Sequence, residues 1–219
     1  ESVLQSTIAI LEKGSVRDFM AHLDRELPRL ARIPARQPGA RVPKILLTGE
    51  IFVRRDSLSR QHLTEQLAKA GFAVVCSPVA EWIRYSDYMR GRNGNRSQLS
   101  LPESIRFRFR RAFMDRYEHR LTAMMADAGV LSARPVNLRA ILAAASPHIS
   151  ENLSGEAILT IGSALSEAAS HVCGVIAIGP FGCMPNRLSE AILNEAMTGE
   201  NKLRIATNDG VLEKILSET

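Results

Sequence analysis

The stretch from Gly174 to Leu193 constrains the fold more than any other part of the sequence. Val175 to Ile178 is a short apolar run rich in β-branched residues, which is typical of a strand buried in a parallel sheet. The glycines and proline of Gly179 to Gly182 then break the chain, and Pro185 suits the first turn of a helix. The pattern therefore predicts a strand, a turn and a helix, with Cys183 in the turn.

Cys183 has two interpretations at this position. A helix N-terminus offers unpaired backbone N–H groups and a partial positive charge, which stabilise a thiolate. Ligands of open α/β sheets also bind beside such turns, at the carboxyl ends of the strands. Cys183 is accordingly either a metal ligand, an iron–sulfur ligand or a reactive thiol, or it is a small residue packed in a tight turn. Cys76 and Cys173 lie at apolar strand edges, where we expect buried thiols.

A second strand–helix–strand pattern begins at Lys44. Ile45 to Leu47 and Phe72 to Val75 are apolar runs, and the segment between them carries Leu63 and Leu67 at helical spacing. A crossover of this length predicts that the two strands pair in parallel. With the strand at Val175 and a final one at Leu203 to Ala206, the sequence predicts an α/β fold with a parallel sheet of about four strands.

Polar residues follow two of these strands. Glu50 and the segment Arg54 to Asp56 come after the first strand, and Asn186 and Arg187 open the helix after Cys183. They are candidates to line a crevice and bind a phosphate or carboxylate. The alternative is that Asp56 caps a helix and that the arginines are solvated.

The remaining segments are predicted to be mostly helical. Residues 1–42 form a helical lead-in and a proline-containing linker, and residues 43–219 form the α/β domain. A long helix from Pro102 to Ala128 carries Phe109, Phe113 and Tyr117 four residues apart, which predicts a core-facing stripe. A last helix is expected after Asn208-Asp209-Gly210.

The segment from Arg84 to Arg120 is rich in basic residues. A solvated helix face is the first interpretation, and a docking site for an anionic ligand or a partner protein is the second. Nucleic acid ranks last, because Phe109 and Tyr117 are assigned to the core and no nucleic-acid-binding signature is present. The arginines are Arg84, Arg90, Arg92, Arg96, Arg106, Arg108, Arg110, Arg111, Arg116 and Arg120.

Composition narrows the class of protein. The 219 residues carry a net charge of +5. The three cysteines are few, and an odd number cannot all form pairs, so a disulfide framework is not expected. No apolar run approaches the ~18 residues that a membrane span requires, so we expect a cytoplasmic protein without a membrane partner. Because residue 1 is Glu and not Met, we expect a fragment of a longer chain. No Walker-type phosphate loop is present.

Three stretches together resemble one family. They are Ile45 to Gln61 (ILLTGEIFVRRDSLSRQ), Val79 to Tyr88 (VAEWIRYSDY) and Gly155 to Leu193, which ends in IGPFGCMPNRLSEAIL. They are similar to the C-terminal region of CoA-substrate-specific enzyme activases related to 2-hydroxyacyl-CoA dehydratases. The GPFGCMP segment is the most specific part of the resemblance.

The resemblance implies a dehydratase-subunit or Rossmann-like fold, with helices on both faces of the sheet. It also implies a [4Fe–4S] cluster in the full-length protein, with Cys183 as a ligand and the other ligands upstream. An ATPase or activase module of the same chain is the implied partner, and an acyl-CoA is a possible ligand. Whether the chain is itself an enzyme is left open, since a shared fold does not establish a shared reaction.

Overall fold

A computed structural model describes residues 2–34, 42–92, 101–130, 135–153, 155–168, 172–197 and 205–206. The described helices are α1 (Ser2–Lys13), α2 (Val16–Ala31), α3 (Leu63–Lys69), α4 (Val79–Arg92), α5 (Leu101–Asp127), α6 (Leu138–Ala145), α7 (Ala157–Ala168) and α8 (Met184–Ala196). The strands are β1 (Lys44–Gly49), β2 (Ala73–Cys76), β3 (Gly174–Ile178) and the two-residue β4 (Ile205–Ala206).

The chain divides into two compact units. The helical unit comprises Glu1–Ala40 and Asn93–Pro135, and the α/β unit comprises Arg41–Arg92 and Val136–Thr219. The sequence predicted a domain boundary between residues 42 and 43, and that boundary stays a prediction. The structure adds that the segment containing α5 belongs to the same unit as the N-terminal helices. The chain therefore leaves the α/β unit after Arg92 and returns to it at Val136.

The helical unit contains α1, α2 and α5. Ser15 begins α2 with a capping box, in which its side chain accepts from the Asp18 N–H and the Asp18 carboxylate accepts from the Ser15 N–H. His22 on α2 is buried, and its Nε2 lies 3.0 Å from the Thr7 hydroxyl of α1. A helical start of the chain is therefore confirmed.

The sheet of the α/β unit is parallel. β1 lies in the middle and pairs with β2 from Lys44 opposite Ala73, and with β3 from Ile45 opposite Gly174. The parallel pairing predicted from the strand–helix–strand pattern is confirmed. The short β4 pairs with β3 at the other edge, and the helix predicted after it lies outside the described residues.

Alternate residues of the strands pack against helices on opposite faces. Ile45 and Leu47 of β1 face a cluster with Leu63 and Leu67 of α3. Leu46 faces the larger cluster, which is built from α6, α7, α8 and Tyr85 of α4. Because successive strand residues point to opposite faces, this alternation buries the strands on both sides.

The apolar stripe predicted for α5 is not a core stripe. Phe109 is 74% exposed and Phe113 is 45% exposed, although Phe113 and Tyr117 contact each other with ring centroids 4.4 Å apart. The periodicity was a correct indication of a helix, but i, i+4 spacing alone does not say which face of a helix is covered. None of the described helices is both long and apolar enough to cross a membrane.

Candidate functional site

The loops that follow β1 and β3 leave the sheet in opposite directions. β1 leads toward α3 on one face, and β3 leads directly into α8, whose Leu193 packs on the other face. β1 and β3 are neighbours in the sheet. In open α/β sheets this divergence of adjacent loops leaves a crevice above the carboxyl ends of the two strands. We call the ends of β1 and β3 and the loops after them the carboxyl edge.

Gly49, the last residue of β1, lies so close to β3 that a side chain would not fit there. Its φ is +103°, and a β-carbon there would lie 2.1 Å from the carbonyl oxygen of Ile178. The Glu50 N–H donates to that same oxygen at 2.8 Å. The Glu50 carboxylate then accepts from the backbone N–H groups of Phe52 and Val53, at 3.0 and 2.7 Å. Glu50 is therefore held by the loop that it stabilises.

Arg54 and Glu81 form a buried ion pair below this loop. Arg54 is 3% exposed and Glu81 is 1% exposed, and Arg54 Nη1 lies 3.0 Å from Glu81 Oε1. The same Nη1 donates to the Gly49 carbonyl at 3.0 Å, and the Ser163 hydroxyl of α7 donates to Glu81 Oε2 at 2.8 Å. The contact between Arg54 and Glu81 is an ion pair and not a well-directed hydrogen bond, because neither Glu81 Oε1 nor Arg54 Nε has a well-oriented partner among the described atoms.

Burial is the dominant influence on Glu81. It raises the pKa of the Glu81 carboxyl, against the opposing effects of the Arg54 charge and of the Ser163 hydrogen bond. The Glu81 carboxylate is the counter-charge that the structure places beside the Arg54 guanidinium. The predicted role of Arg54 as a ligand-binding residue stays a prediction, while its observed role is to tie the β1 loop to α4 and α7.

Glu156 adds a second carboxylate to the carboxyl edge. It lies just before α7, and its Oε2 accepts from the Ile51 N–H at 3.1 Å. Burial raises the pKa of Glu156, and the negative charge of Glu50 raises it further. The Ile51 hydrogen bond and Arg54 act in the opposite direction. At neutral pH the ionised form of Glu156 is therefore less favourable in the folded state than in the unfolded chain.

We expect Glu156→Gln to be more stable than the unmodified protein at pH 7. The amide oxygen can still accept from Ile51, while the charge that burial and Glu50 oppose is removed. A carboxyl whose pKa is raised on folding destabilises the fold above its folded pKa, and this effect vanishes below its unfolded value, near 4.5. The advantage of the variant should therefore disappear as the pH falls through that window, as measured by urea unfolding at several pH values.

Glu65→Gln serves as a control of opposite sign. Hydrogen bonding by Thr64 lowers the pKa of Glu65, so its ionised form favours folding and the amide should be slightly less stable at pH 7. If Glu156→Gln kept its advantage at pH 4, packing and not ionisation would be the cause.

Cys183 is the N-cap residue of α8, which agrees with its predicted place in a turn close to a helix N-terminus. Its φ and ψ are −64° and 108°, its side chain makes no capping hydrogen bond, and it is half-buried. The preceding turn is closed by a bond from the Cys183 N–H to the Pro180 carbonyl at 3.1 Å, with Gly182 at φ +76°. The sulfur thus stands at the start of a helix on the carboxyl edge.

The other two cysteines differ from each other. Cys173 is exposed, so the prediction that it is buried is wrong; it precedes β3 at the opposite end of the sheet, and its thiol donates to the Lys44 carbonyl. Cys76 ends β2 and is half-buried, with its thiol 3.7 Å from the Arg54 carbonyl. Burial raises the pKa of Cys76, which keeps it protonated as a donor.

Asn186 and Arg187 lie in the first turn of α8. Asn186 is buried against Gly179, where a β-carbon would lie 2.7 Å from its side-chain Cγ, and its Oδ1 has no hydrogen-bond partner among the described atoms. Arg187 forms an ion pair with Glu190 at 2.8 Å. Asn186 is therefore the polar side chain that the fold places inward beside Cys183.

Asp56 and Arg55 stabilise the loop after β1. Asp56 accepts from the Ser59 N–H at 2.7 Å, and hydrogen bonding by Ser59 lowers the pKa of Asp56. It caps the turn before α3 and not α3 itself, whose N-cap is His62. Arg55 donates to the Ser77 carbonyl at the end of β2. The structural alternative is met only in part: Asp56 caps a turn and not a helix, and Arg55 is exposed whereas Arg54 is buried. The ligand-binding role of Asp56 stays a prediction.

The rim of the carboxyl edge is apolar. Phe181 is 93% exposed in the turn before Cys183, and Met184 after it and Phe52 in the β1 loop are also largely exposed. Phe181 and Met184 flank Cys183 in one turn, and exposed apolar side chains that lie together mark binding surfaces.

Sequence reasoning did not find Glu81, Ser163 and Glu156. Ser163 and Glu81 are 82 residues apart, and Glu156 and Ile51 are 105 apart. The local pattern around Glu81 is misleading, because this carboxylate is buried while its neighbour Trp82 is exposed. The available signal for Glu81 was a carboxylate among the apolar residues Val79, Ala80, Trp82 and Ile83.

Comparison with family models, with curated proteins and with solved structures found no match to this chain. Among the described residues, no group of three or more His, Cys, Asp or Glu side chains is arranged to hold a metal ion.

Proposed function

We propose that this chain is a domain of an acyl-CoA dehydratase activase-like protein, with an iron–sulfur-associated role in electron transfer in the full-length chain. The dehydratase-subunit or Rossmann-like arrangement and a fourth full strand belong to the same proposal. It starts from the resemblance carried by the GPFGCMP segment. The partner would be an ATP-using activase module.

The position of Cys183 is the observation that carries the proposal. A thiolate there would lie at the N-terminus of α8, the end of a helix at which negative charge is favoured. Hydrogen bonds to sulfur and local burial are the means by which a protein tunes the potential of an iron–sulfur centre. The described residues supply this one ligand, and the remaining ligands would come from other parts of the protein.

Anaerobic reconstitution of the full-length protein with iron and sulfide tests the role of Cys183. We expect Cys183→Ala to lose most of the bound iron and sulfide, together with the visible absorption of the cluster. Cys173→Ala is the matched control, because Cys173 is exposed at the opposite end of the sheet. We expect its iron and sulfide content to be unchanged.

Equal iron content in the two variants would remove Cys183 from the proposed role. Far-ultraviolet circular dichroism of both proteins separates loss of a ligand from loss of the fold. Because Cys183 makes no capping hydrogen bond, its replacement by alanine removes no such bond from the start of α8.

The second candidate function is binding of an anionic ligand such as an acyl-CoA, without catalysis. The exposed apolar side chains of Phe52, Phe181 and Met184 favour it, since they would be covered by an acyl group bound at the carboxyl edge. Calorimetry at two salt concentrations should then detect binding of an acyl-CoA that is weaker at the higher salt concentration. Such binding, together with unchanged iron content in Cys183→Ala, would favour this function over the first.

A further inference from the structure

Helix α5 has two apolar faces, and only one of them is covered. Phe107, Met114 and Leu121 lie seven residues apart on one side and are half-buried. Ile105, Phe109 and Phe113 lie four residues apart on the other side and are exposed by 67%, 74% and 45%. At 3.6 residues per turn the two sets point in nearly opposite directions. The second set is therefore an apolar strip that the helical unit leaves in water.

Arginines surround this apolar strip. Arg106 and Arg108 flank it, and Arg116 and Arg120 continue its line toward the C-terminus of α5. All four are exposed, and none of them forms an ion pair with another described residue. Glu103 and Glu118, acidic residues of the same segment, lie away from the strip, whereas Asp115 lies one heptad after Arg108 on the same flank, where it contacts Arg111. We call the three apolar residues and these four arginines the α5 ridge.

The excess positive charge of the chain belongs to the helical unit. Residues 1–40 and 93–135 contain 14 Lys and Arg against 9 Asp and Glu, a net charge of +5, while the rest of the chain contains 14 of each. The charge is therefore segregated, and the α5 ridge is its exposed face. A second copy of the same ridge would be repelled, whereas a negatively charged partner would be attracted.

We infer that the α5 ridge docks an acidic amphipathic helix of a partner protein. Ile105, Phe109 and Phe113 are anchors about 6 Å apart along the helix axis, the spacing at which one helix presents side chains to a groove or to another helix. The partner supplies an apolar strip to these anchors, with carboxylates beside it for Arg106 and Arg108. Further carboxylates beyond one end of the strip meet Arg116 and Arg120, which fixes the direction of docking.

Two other anionic partners fit the ridge less well. Ile105 offers no ring on which a nucleic-acid base could stack, although it is in line with the two phenylalanines. A bilayer surface favours a broad apolar face, whereas this strip covers about two turns and has arginine on both flanks and at one end. Both partners are outcomes of the test below.

The test uses a synthetic helical peptide with leucines along one face and glutamates on both flanks and beyond one end. Fluorescence anisotropy of the labelled peptide should give saturable binding that weakens as salt is added. Phe109→Ala should weaken it by about tenfold or more, because exposed aromatic anchors contribute most to such contacts. Arg116→Gln combined with Arg120→Gln should weaken it and reduce its salt dependence. A peptide of the same composition with scrambled order should bind poorly.

Arg110→Gln and Arg111→Gln are the matched controls, because these arginines lie off the ridge. Arg110 stacks on Phe107, 5.5 Å from the ring centroid, and Arg111 lies 4.0 Å from Asp115. We expect both controls to bind the peptide like the unmodified protein. Absence of peptide binding, or equal loss in ridge and control variants, would overturn the inference. So would ridge-dependent binding to phosphatidylserine vesicles or to a 20-nucleotide oligo-dT in place of the peptide.

Discussion

Replacing Glu81 with leucine should lower the free energy of unfolding of the protein by about 3–5 kcal/mol. The leucine leaves the guanidinium of Arg54, which is 3% exposed, without its counter-charge. It also deprives the Ser163 hydroxyl of its acceptor. An unpaired buried charge is among the most costly defects that a single substitution produces. Urea unfolding followed by circular dichroism measures the loss.

The double variant Arg54→Met with Glu81→Leu should recover most of this stability. Burial raises the pKa of Glu81 in spite of the adjacent arginine, which indicates that attraction between the two charges does not fully offset their removal from water. An apolar pair of similar volume avoids that cost. Glu65→Gln, which removes the exposed carboxylate of the pair with Arg60, should change stability far less than Glu81→Leu does. Equal losses in the single and double variants would contradict the ion-pair explanation.

Gly49→Ala should destabilise the protein by more than about 4 kcal/mol, and we expect little folded protein. The new β-carbon would lie 2.1 Å from the Ile178 carbonyl oxygen and 2.6 Å from its nitrogen, and both are backbone atoms of β3. The backbone angle φ of +103° is also unfavourable for alanine. Relief would require β1 and β3 to separate where Glu50 bonds to β3. Thermal and urea unfolding measure the effect.

Gly71→Ala separates the two causes. Gly71 has a similar φ of +90°, but no atom lies within 4 Å of the position of an added β-carbon. Its replacement should cost about 1–2 kcal/mol, which is the backbone term alone. If Gly49→Ala were no worse than Gly71→Ala, the close approach of the two strands would not be needed for stability.

Local patterns in the sequence predicted the strands β1 and β3, their parallel sheet and the turn before α8. Apolar runs ended by glycine and proline identified β1 and β3, and the length of the crossover after Ile45 to Leu47 predicted parallel pairing with β2. The turn chemistry of Gly179 to Gly182, with Pro185 in the first turn of α8, placed Cys183 in the turn before this helix, and the structure makes it the N-cap. Each strand and the turn are encoded by a short local segment, and the parallel pairing by the length of the segment between two strands.

Features that depend on distant residues were not predictable in the same way. Nothing near Arg54 in the sequence indicates that the Glu81 carboxylate will pair with it, or that the Ser163 hydroxyl will donate to that carboxylate, because these residues lie on helices far along the chain. The prediction that the apolar stripe of α5 faces the core was wrong for a related reason. Phe109 and Phe107 belong to opposite apolar faces, and periodicity cannot decide which face the rest of the protein covers.

The most direct measurement of the role proposed for Cys183 is the rate at which its thiol is alkylated, followed residue by residue with mass spectrometry. The full-length protein is treated with iodoacetamide before and after anaerobic reconstitution with iron and sulfide. We predict that Cys183 becomes protected after reconstitution, while Cys173, which is exposed at the other end of the sheet, reacts at the same rate in both samples. A Cys183 that is alkylated equally fast in protein carrying bound iron and sulfide would contradict its assignment as a ligand.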